Sequence, residues 1–202
     1  MKIVCIGRNY ADHARELNNP VPTKPVFFMK PDTALLHPHN PFFLPEFSND
    51  IHYETELVIK ISKHGKHIAE KFAYKYYEEI TVGIDFTARD LQTECKDKGL
   101  PWEMAKAFDQ SAPVGEFIPI EQFKGMDILF GLKINGEWRQ HGNSKDMIFG
   151  FDRIIAYVSQ FITLRKGDYI FTGTPAGVGK TMPNDEFELF IDDQKLLVFR
   201  AK

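Results

Sequence analysis

Residues 51–61 read IHYETELVIKI, a stretch in which apolar and polar residues alternate through most of the length. Successive side chains of a β-strand point to opposite faces, so this pattern predicts a strand with one apolar face. Glu54 and Glu56 share the other face, with Cα atoms about 7 Å apart. Neighbouring carboxylates repel each other, so the pair is stable either on a solvated face, which is the commoner arrangement, or around a cation. The apolar face consists of Tyr53, Leu57, Ile59 and Ile61.

A third carboxylate follows the next predicted strand. Asp85 comes directly after the apolar run ITVGI at residues 80–84. Thr87 and Asp90 form a capping-box type of pattern, which predicts a helix over residues 87–98. Asp85 is then either a turn residue at the helix entrance or, together with the two glutamates, part of a ligand set. Three oxygen ligands suit Mg²⁺ or Mn²⁺ and leave octahedral positions open for water or substrate.

The remaining sequence predicts more strands than helices. The pair Asn135-Gly136, between predicted strands 128–134 and 137–140, is the strongest short signal for a β-hairpin. Four prolines within residues 31–50 favour irregular chain there. Because strands outnumber helices and do not alternate with them regularly, we expect an α+β, β-rich fold and not a doubly wound nucleotide-binding fold. Further strands are predicted at residues 2–6, 26–29, 80–84, 169–171, 186–191 and 195–199, and further helices at residues 10–17 and 148–161.

Composition and chain organisation predict one globular domain, residues 1–202, with no repeat, low-complexity tract or linker. The chain has 25 Lys and Arg against 28 Asp and Glu, so it lacks the basic excess of nucleic-acid-binding proteins. No stretch approaches the roughly 20 apolar residues of a membrane span. Two cysteines exclude a disulfide scaffold, and the apolar run 3–6 is too short for a signal peptide. We therefore expect a cytoplasmic protein without nucleic-acid or membrane partners.

Several other polar residues have spacings that fit catalysis or anion binding. His13 and Glu16 lie three residues apart in a predicted helix, where a carboxylate can hold an imidazole as a general base. A surface helix also forms such pairs without function. Arg89 and Gln92 are separated by one helical step, and Lys106 lies in the segment AKAF at residues 105–108. Each of these three side chains could face an anionic substrate or lie on the surface.

Residues 173–181, GTPAGVGKT, have a spacing similar to a phosphate-binding P-loop. A P-loop needs a glycine where this chain has Thr174, and a helix directly after the Lys-Thr pair. Residues 183–185, Pro-Asn-Asp, forbid a long helix at that point. We interpret the segment as a turn that offers backbone N–H groups and the Thr174 hydroxyl to an anion.

Six separate motifs, in order along nearly the whole chain, together resemble the fumarylacetoacetate hydrolase family. The residues of these motifs are most similar to those of the short acylpyruvase and oxaloacetate decarboxylase branch. Several motifs in the same order are far more specific than any one of them. The motifs are GRNYADH at 7–13, the Glu54-x-Glu56 strand, DFTARDLQ at 85–92, GLPW at 99–102, Ala105-Lys106 and TGTPAGVG at 172–179.

The resemblance implies a β-rich domain with a mixed β-roll, a homodimer, and a site containing one divalent cation. It further implies that His13 and Glu16 are a water-activating pair on a segment that becomes ordered when substrate binds. Lys106 would stabilise developing negative charge. The implied ligands of Mg²⁺ or Mn²⁺ are Glu54, Glu56 and Asp85, and the implied substrate-binding residues are Arg89, Gln92 and Thr174.

The implied activity is that of a hydrolase or lyase acting on 2-oxo acids. Such an enzyme cleaves acylpyruvates, such as acetylpyruvate and fumarylpyruvate, to pyruvate and a carboxylic acid, or decarboxylates or tautomerises oxaloacetate. A 2-oxo acid suits the predicted site because its carboxylate and keto oxygens can both reach one divalent cation. Two alternatives remain open: an isomerase or decarboxylase of the 2-hydroxyhepta-2,4-diene-1,7-dioate type, and a metal-stabilised binding module without turnover.

Overall fold

The computed structural model describes residues 1–16, 20–36 and 40–202 of the chain. These residues form mostly short strands and four α-helices. The helices are α1 Ala11–Glu16, α2 Arg89–Lys98, α3 Glu103–Lys106 and α4 Phe151–Phe161. The strands are β1 Ile3–Gly7, β2 Val26–Lys30, β3 Leu35–Leu36, β4 Ile51–Tyr53, β5 Thr55–Ile61, β6 Tyr77–Ile84, β7 Thr87–Ala88, β8 Ala112–Pro113, β9 Ile118–Pro119, β10 Leu129–Ile134, β11 Glu137–Asn143, β12 Tyr169–Phe171, β13 Gly179–Lys180, β14 Glu186–Ile191 and β15 Gln194–Arg200. The α+β, β-rich prediction is confirmed.

The largest sheet is mixed, with strand order β2-β1-β12-β5-β6-β9, and β5 lies inside it. Strands β1 and β12 run parallel, whereas β5 pairs antiparallel with both of its neighbours. Leu57, Ile59 and Ile61 lie in the main hydrophobic core, as the alternation predicts. The opposite face is not solvated, because Val58 packs in a second core cluster and Glu56 is buried. The solvated strand face is therefore the wrong alternative.

A second, antiparallel sheet has the order β11-β10-β14-β15. Its first hairpin turns at Asn135 and Gly136, whose φ angles of 53° and 81° are those of the type I′ turn that this pair favours. Aromatic rings join the sheet to the segment after β6: Phe187 stacks on Phe199 at 4.9 Å and meets Phe86 edge-on at 5.8 Å between ring centres. The second sheet is thereby fixed beside the end of β6.

Three helices begin later than the sequence predicts, the first of them, α1, by one residue, at Ala11. Thr87 and Ala88 pair with β4 as strand β7, so α2 begins at Arg89 and the capping-box prediction at Thr87 is wrong. The Thr87 hydroxyl donates instead to the Asp85 carbonyl at 3.2 Å. Helix α4 begins at Phe151, because Gly150 before it has extended backbone angles, and the N–H groups of residues 148 and 149 donate to Asn9. The predicted end of the first helix, Leu17, lies outside the described residues, as does Pro38.

The described helices are all too short or too polar to cross a membrane. Short 3₁₀ turns connect several strands, at Asp32–Ala34, Glu70–Tyr76, Ile120–Phe123 and Ser144–Asp146. Both cysteines are buried free thiols, as expected in the absence of a disulfide scaffold.

Candidate active site

Three buried carboxylates converge where β5 and β6 meet. Glu54 lies between β4 and β5, Glu56 lies on β5, and Asp85 follows β6. The Asp85 N–H donates to the Glu54 carbonyl at 2.8 Å, which fixes the two strand ends relative to each other. One oxygen from each carboxylate lies within 4.8 Å of the others, and the three residues are 6%, 2% and 1% exposed. Sheet pairing therefore gathers the three residues into one oxygen-rich cluster.

Lys106, on α3, joins two of these carboxylates. Its buried Nζ donates to Glu54 Oε2 at 2.8 Å, to Asp85 Oδ2 at 2.7 Å and to Thr87 Oγ1 at 2.5 Å. Although burial opposes ionisation of Glu54, the charges of Lys106 and Arg89 hold the pKa of this carboxyl well below its ordinary value. Burial also disfavours the ammonium of Lys106, but the carboxylates of Asp85 and Glu54 keep its pKa above the ordinary value. The two partners are therefore a charged pair.

A second buried lysine is a site residue that the sequence analysis missed. Lys30, at the end of β2, is 1% exposed, and its Nζ lies 2.8 Å from Asp85 Oδ1. The same ammonium donates to Ser111 Oγ at 2.8 Å and to the carbonyls of Phe86, Ser111 and Lys106. The Lys30 ammonium thus connects the segment after β6 with the end of α3. In the sequence it only follows a short apolar run, which gives no sign of burial.

Glu56 differs from the other two carboxylates because no Lys or Arg of the described residues forms an ion pair with it. Its Oε2 accepts one hydrogen bond, from the Gly173 N–H at 2.7 Å. Burial, and then the charges of Asp85 and Glu54, raise the pKa of Glu56 well above its ordinary value. A cation at the centre of the cluster would offset the repulsion of Glu56 by the charges of Asp85 and Glu54. The donor set, three buried carboxylates, fits a hard divalent ion such as Mg²⁺ or Mn²⁺.

The first turn of α2 brings Arg89 and Gln92 to the same cluster. Arg89 donates through Nη2 to Glu54 Oε1 at 2.6 Å and through Nη1 to Gln92 Oε1 at 2.7 Å. Gln92 is 4% exposed, and the Arg89 Nε has no hydrogen-bond acceptor among the residues that the structure describes. The predicted one-step spacing on a helix face is therefore present. This arrangement places the Arg89 guanidinium beside the carboxylates, with its Nε–H as an unused donor.

The segment 172–179 is a turn and not a P-loop, because it runs into strand β13. Its backbone N–H groups do face anions, and these anions are carboxylates of the chain itself: Gly173 donates to Glu56, and Gly177 donates to Glu16 at 3.0 Å. Gly173 has φ of 101°, and a Cβ there would lie 2.6 Å from the Cβ of Asn9. The Thr174 hydroxyl accepts from Gln140 Nε2 at 2.9 Å and is buried at the site.

His13 and Glu16 form the pair that their spacing predicts. His13 Nδ1 lies 3.0 Å from Glu16 Oε2, which leaves Nε2 as the free ring nitrogen. His13 is 5% exposed, and the bond from Gly177 to Glu16 holds α1 against the turn 172–179. The structure therefore shows α1 in the docked position. The opening of this segment, expected from the resemblance, stays a prediction.

We expect the amides of residues 10–16 to exchange slowly only when a ligand is bound. A six-residue helix is too short to be stable by itself, and a hydrogen bond from Gly177 to Glu16 ties its end to the turn 172–179. Adding oxalate with Mg²⁺ should slow exchange of these amides, as measured by hydrogen–deuterium exchange with mass spectrometry. The amides of α4, which packs in the core, are the internal control and should not change. Strong protection of residues 10–16 before addition would show that the pair is preformed.

One cavity collects these residues from segments far apart in the chain. Glu16 stands behind His13 and does not line the cavity. Arg8, Lys96 and Trp102 also line it, although the sequence analysis assigns them no role. The predicted residues that do line it are His13, Glu54, Glu56, Asp85, Arg89, Gln92, Lys106 and Thr174.

The chain belongs to the fumarylacetoacetate hydrolase family. The family model described as "Fumarylacetoacetate (FAA) hydrolase C-terminal" matches residues 2–200. This match confirms the resemblance that the six sequence motifs suggest, and it covers every segment that contributes to the cavity.

Relatives within the family are similar over nearly their whole length. The chain is 46% identical over 201 residues to "Oxaloacetate tautomerase FAHD1, mitochondrial" of Mus musculus, covering 99% of this chain and 91% of the relative. It is 41% identical over 197 residues to "Oxaloacetate tautomerase YcgM" of Escherichia coli K12, covering 96% and 90%. The structure of fumarylpyruvate hydrolase from Pseudomonas aeruginosa, in complex with Mn²⁺ and pyruvate, superimposes with a TM-score of 0.93 at 37% identity, covering 100% and 89%.

Proposed function

We propose that this protein is a divalent-metal-dependent enzyme of 2-oxo acids, and that it interconverts the keto and enol forms of oxaloacetate. The observation that carries the proposal is the cluster of three buried carboxylates in one cavity with His13. Keto–enol interconversion needs one base to move a proton at C3 and positive charge near the C2 oxygen. Two relatives of similar length named oxaloacetate tautomerase support this choice of substrate.

Glu54, Glu56 and Asp85 are the proposed ligands of Mg²⁺ or Mn²⁺. When bound, such an ion supplies Lewis-acid charge to the carboxylate and keto oxygens of a 2-oxo acid. Within the described residues Glu56 has no ion pair, which supports this assignment because a buried carboxylate is stable when a cation accompanies it. The Mn²⁺ named with the Pseudomonas aeruginosa structure supports the same choice of ion.

The side chains of the chain itself have distinct proposed roles. His13, oriented by Glu16, takes the C3 proton on Nε2 and returns a proton in the reverse direction. Lys106 adds positive charge beside the oxygen on C2. Arg89, Gln92 and Thr174 hold the substrate carboxylate, and the unused Nε–H of Arg89 is a donor available for it.

Hydrolysis of acylpyruvates is the second candidate. It is favoured by the likeness to the fumarylpyruvate hydrolase structure and by the His13–Glu16 pair, which can equally activate a water molecule. Loss of carbon dioxide from oxaloacetate would leave the same enolate of pyruvate as acylpyruvate cleavage. The three reactions therefore differ in what leaves the substrate and share the binding of the 2-oxo acid.

A substrate panel with a histidine variant tests the proposal. The purified protein should interconvert oxaloacetate tautomers with Mg²⁺, and EDTA should remove this activity. His13→Ala should lower kcat by about 100-fold or more, the contribution typical of a positioned base, while Mn²⁺ affinity stays the same. Acetylpyruvate, fumarylpyruvate and a dienoic 2-hydroxy acid are assayed in parallel. Turnover of none of the four compounds would favour a binding module, and loss of Mn²⁺ affinity in His13→Ala would make His13 a ligand.

The remaining expectations about the molecule stay proposals. Residues 1–202 act as one catalytic domain, the protein is a homodimer, and it works in the cytoplasm on a small-molecule 2-oxo acid. The near-complete coverage of the relatives supports the first of these. Sedimentation analysis of the purified protein tests the homodimer.

A further inference from the structure

Two cations line the cavity without a carboxylate partner among the described residues. Arg8 follows β1 and is half-buried, and Lys96 lies in the last turn of α2 and is exposed. Arg89, by contrast, is paired with Glu54. Because Lys96 is exposed and the carboxylate cluster is buried, the two unpaired cations lie towards the open side of the cavity. The carboxylates thus lie at the buried end of the cavity, and the cations Arg8 and Lys96 form a basic rim at its open end.

The backbone holds Arg8 in an uncommon conformation. Its φ of 60° lies in the left-handed region, which a residue with a side chain adopts only when the surroundings impose it. The next residue, Asn9, supplies the constraint: its side chain donates to the carbonyls of Phe149 at 3.0 Å and Thr172 at 2.7 Å, and accepts from the Phe149 N–H. Buried hydrogen bonds therefore anchor the chain directly beside Arg8.

An aromatic wall orients Lys96. Its Nζ lies 5.8 Å from the centre of the Trp102 ring, and Trp102 packs on Phe28 at 5.9 Å. Lys96 comes two helical turns after Arg89, so both side chains lie on the same face of α2. Partial burial, and then the charges of Arg89 and Arg8, lower the pKa of Lys96. The ammonium therefore lies among like charges, a position that an anion would stabilise.

The balance of charges in the cavity also favours an anionic ligand. The three carboxylates of the cluster are equal in number to the cations Lys30, Lys106 and Arg89, which pair with Asp85 and Glu54. Arg8 and Lys96 add two further positive charges, and a divalent ion would add two more. A 2-oxo acid with a neutral tail brings one negative charge, whereas a dicarboxylic 2-oxo acid brings two.

We infer that Arg8 and Lys96 bind the second carboxylate of a dicarboxylic 2-oxo acid and so make the site selective for oxaloacetate-like substrates. This inference rests on the proposed function, since it takes the first carboxylate and the keto group to lie at the carboxylate cluster. A neutral tail would leave both cations without a partner inside the cavity. Selectivity then comes from the rim, and not from the residues that the three related reactions share.

Binding of two matched ligands tests the inference. Pyruvate has no second carboxylate, and 3,3-difluorooxaloacetate has one but no C3 proton to lose. Titration calorimetry with Mg²⁺ should show that Arg8→Gln and Lys96→Gln each weaken binding of difluorooxaloacetate about 10-fold, the loss expected for one charge-assisted hydrogen bond. Pyruvate affinity should change less than about twofold in both variants. Lys98→Gln, which alters an exposed lysine on the same helix, should change neither ligand.

The outcomes separate the inference from the proposed function. Equal weakening of both ligands, or no weakening of either, would overturn the role of Arg8 and Lys96. Turnover of oxaloacetate by the wild-type protein would at the same time leave the proposed function standing. A wild-type protein that binds neither ligand and does not act on oxaloacetate would overturn both.

Discussion

Glu56→Gln should abolish metal binding while leaving the metal-free protein at least as stable as the wild type. The substitution removes one anionic ligand, so the dissociation constant for Mn²⁺ should rise beyond the roughly 10–100-fold that outer partners of a metal site contribute. Turnover of oxaloacetate should fall with it. The metal-free fold should not suffer, because Glu56 has no cationic partner in the described part of the chain and glutamine keeps an oxygen for the Gly173 N–H. Electron paramagnetic resonance of Mn²⁺ and thermal unfolding measure the two effects.

Glu54→Gln is the matched comparison. It also removes a proposed ligand, but it leaves Lys106 and Arg89 without a carboxylate they contact at 2.8 and 2.6 Å. Unpairing a buried charge is strongly destabilising, so this variant should lose both metal affinity and metal-free stability. Unchanged Mn²⁺ affinity in Glu56→Gln would remove Glu56 from the ligand set. A large loss of metal-free stability in that variant would instead show a structural role.

The alternation in residues 51–61 was sufficient to predict a strand and its apolar face. It could not show whether the glutamate face meets water, because that depends on what lies against it. In the folded protein, the turn at Gly173 and the lysine on α3 cover this face, and both come from distant parts of the chain. Side-chain period defines which residues share a face, and tertiary packing decides whether that face is buried.

The segment 85–98 shows how long-range pairing can override a local signal. Thr87 and Asp90 have the spacing of a helix cap, yet Thr87 pairs with β4 and accepts a hydrogen bond from Lys106. The strand pairing and the hydrogen bond to buried Lys106 stabilise the fold by more than a helix cap would, since a cap contributes about 1 kcal/mol. Arg89 and Gln92 were predicted more reliably, because their one-turn spacing depends only on the helix that contains them.

Lys30 and Asn9 could not be identified as site residues because their partners are remote in sequence. Lys30 bonds to groups 56, 76 and 81 residues away, and Asn9 to groups 140 and 163 residues away. No periodic pattern or short motif encodes such separations. The motifs did place Asn9 within the resemblance, but only as one letter of GRNYADH.

Lys30→Met should be among the most destabilising substitutions in the protein. It removes the only charge that contacts Asp85 Oδ1 within the described residues, together with the hydrogen bonds that the ammonium donates to the Ser111 hydroxyl and to three carbonyls. Breaking a buried ion pair in this way costs about 3–5 kcal/mol. Urea unfolding of the metal-free protein measures the loss. Lys98→Met is the control, because the exposed pair of Lys98 with Glu94 should contribute less than about 1 kcal/mol.

A double-mutant cycle with Asp85→Asn separates the ion pair from simple packing. If Lys30 and Asp85 stabilise each other as charges, the double variant should be less destabilised than the sum of the single variants by about 0.5–3 kcal/mol, the range seen for residues in contact. If the double variant loses as much stability as the two single variants together, the 2.8 Å contact contributes nothing as a charge pair. Coupling would establish that Lys30 holds Asp85 in place by its charge. The orientation of one proposed metal ligand would then depend on a lysine in β2, a strand that contributes no ligand of its own.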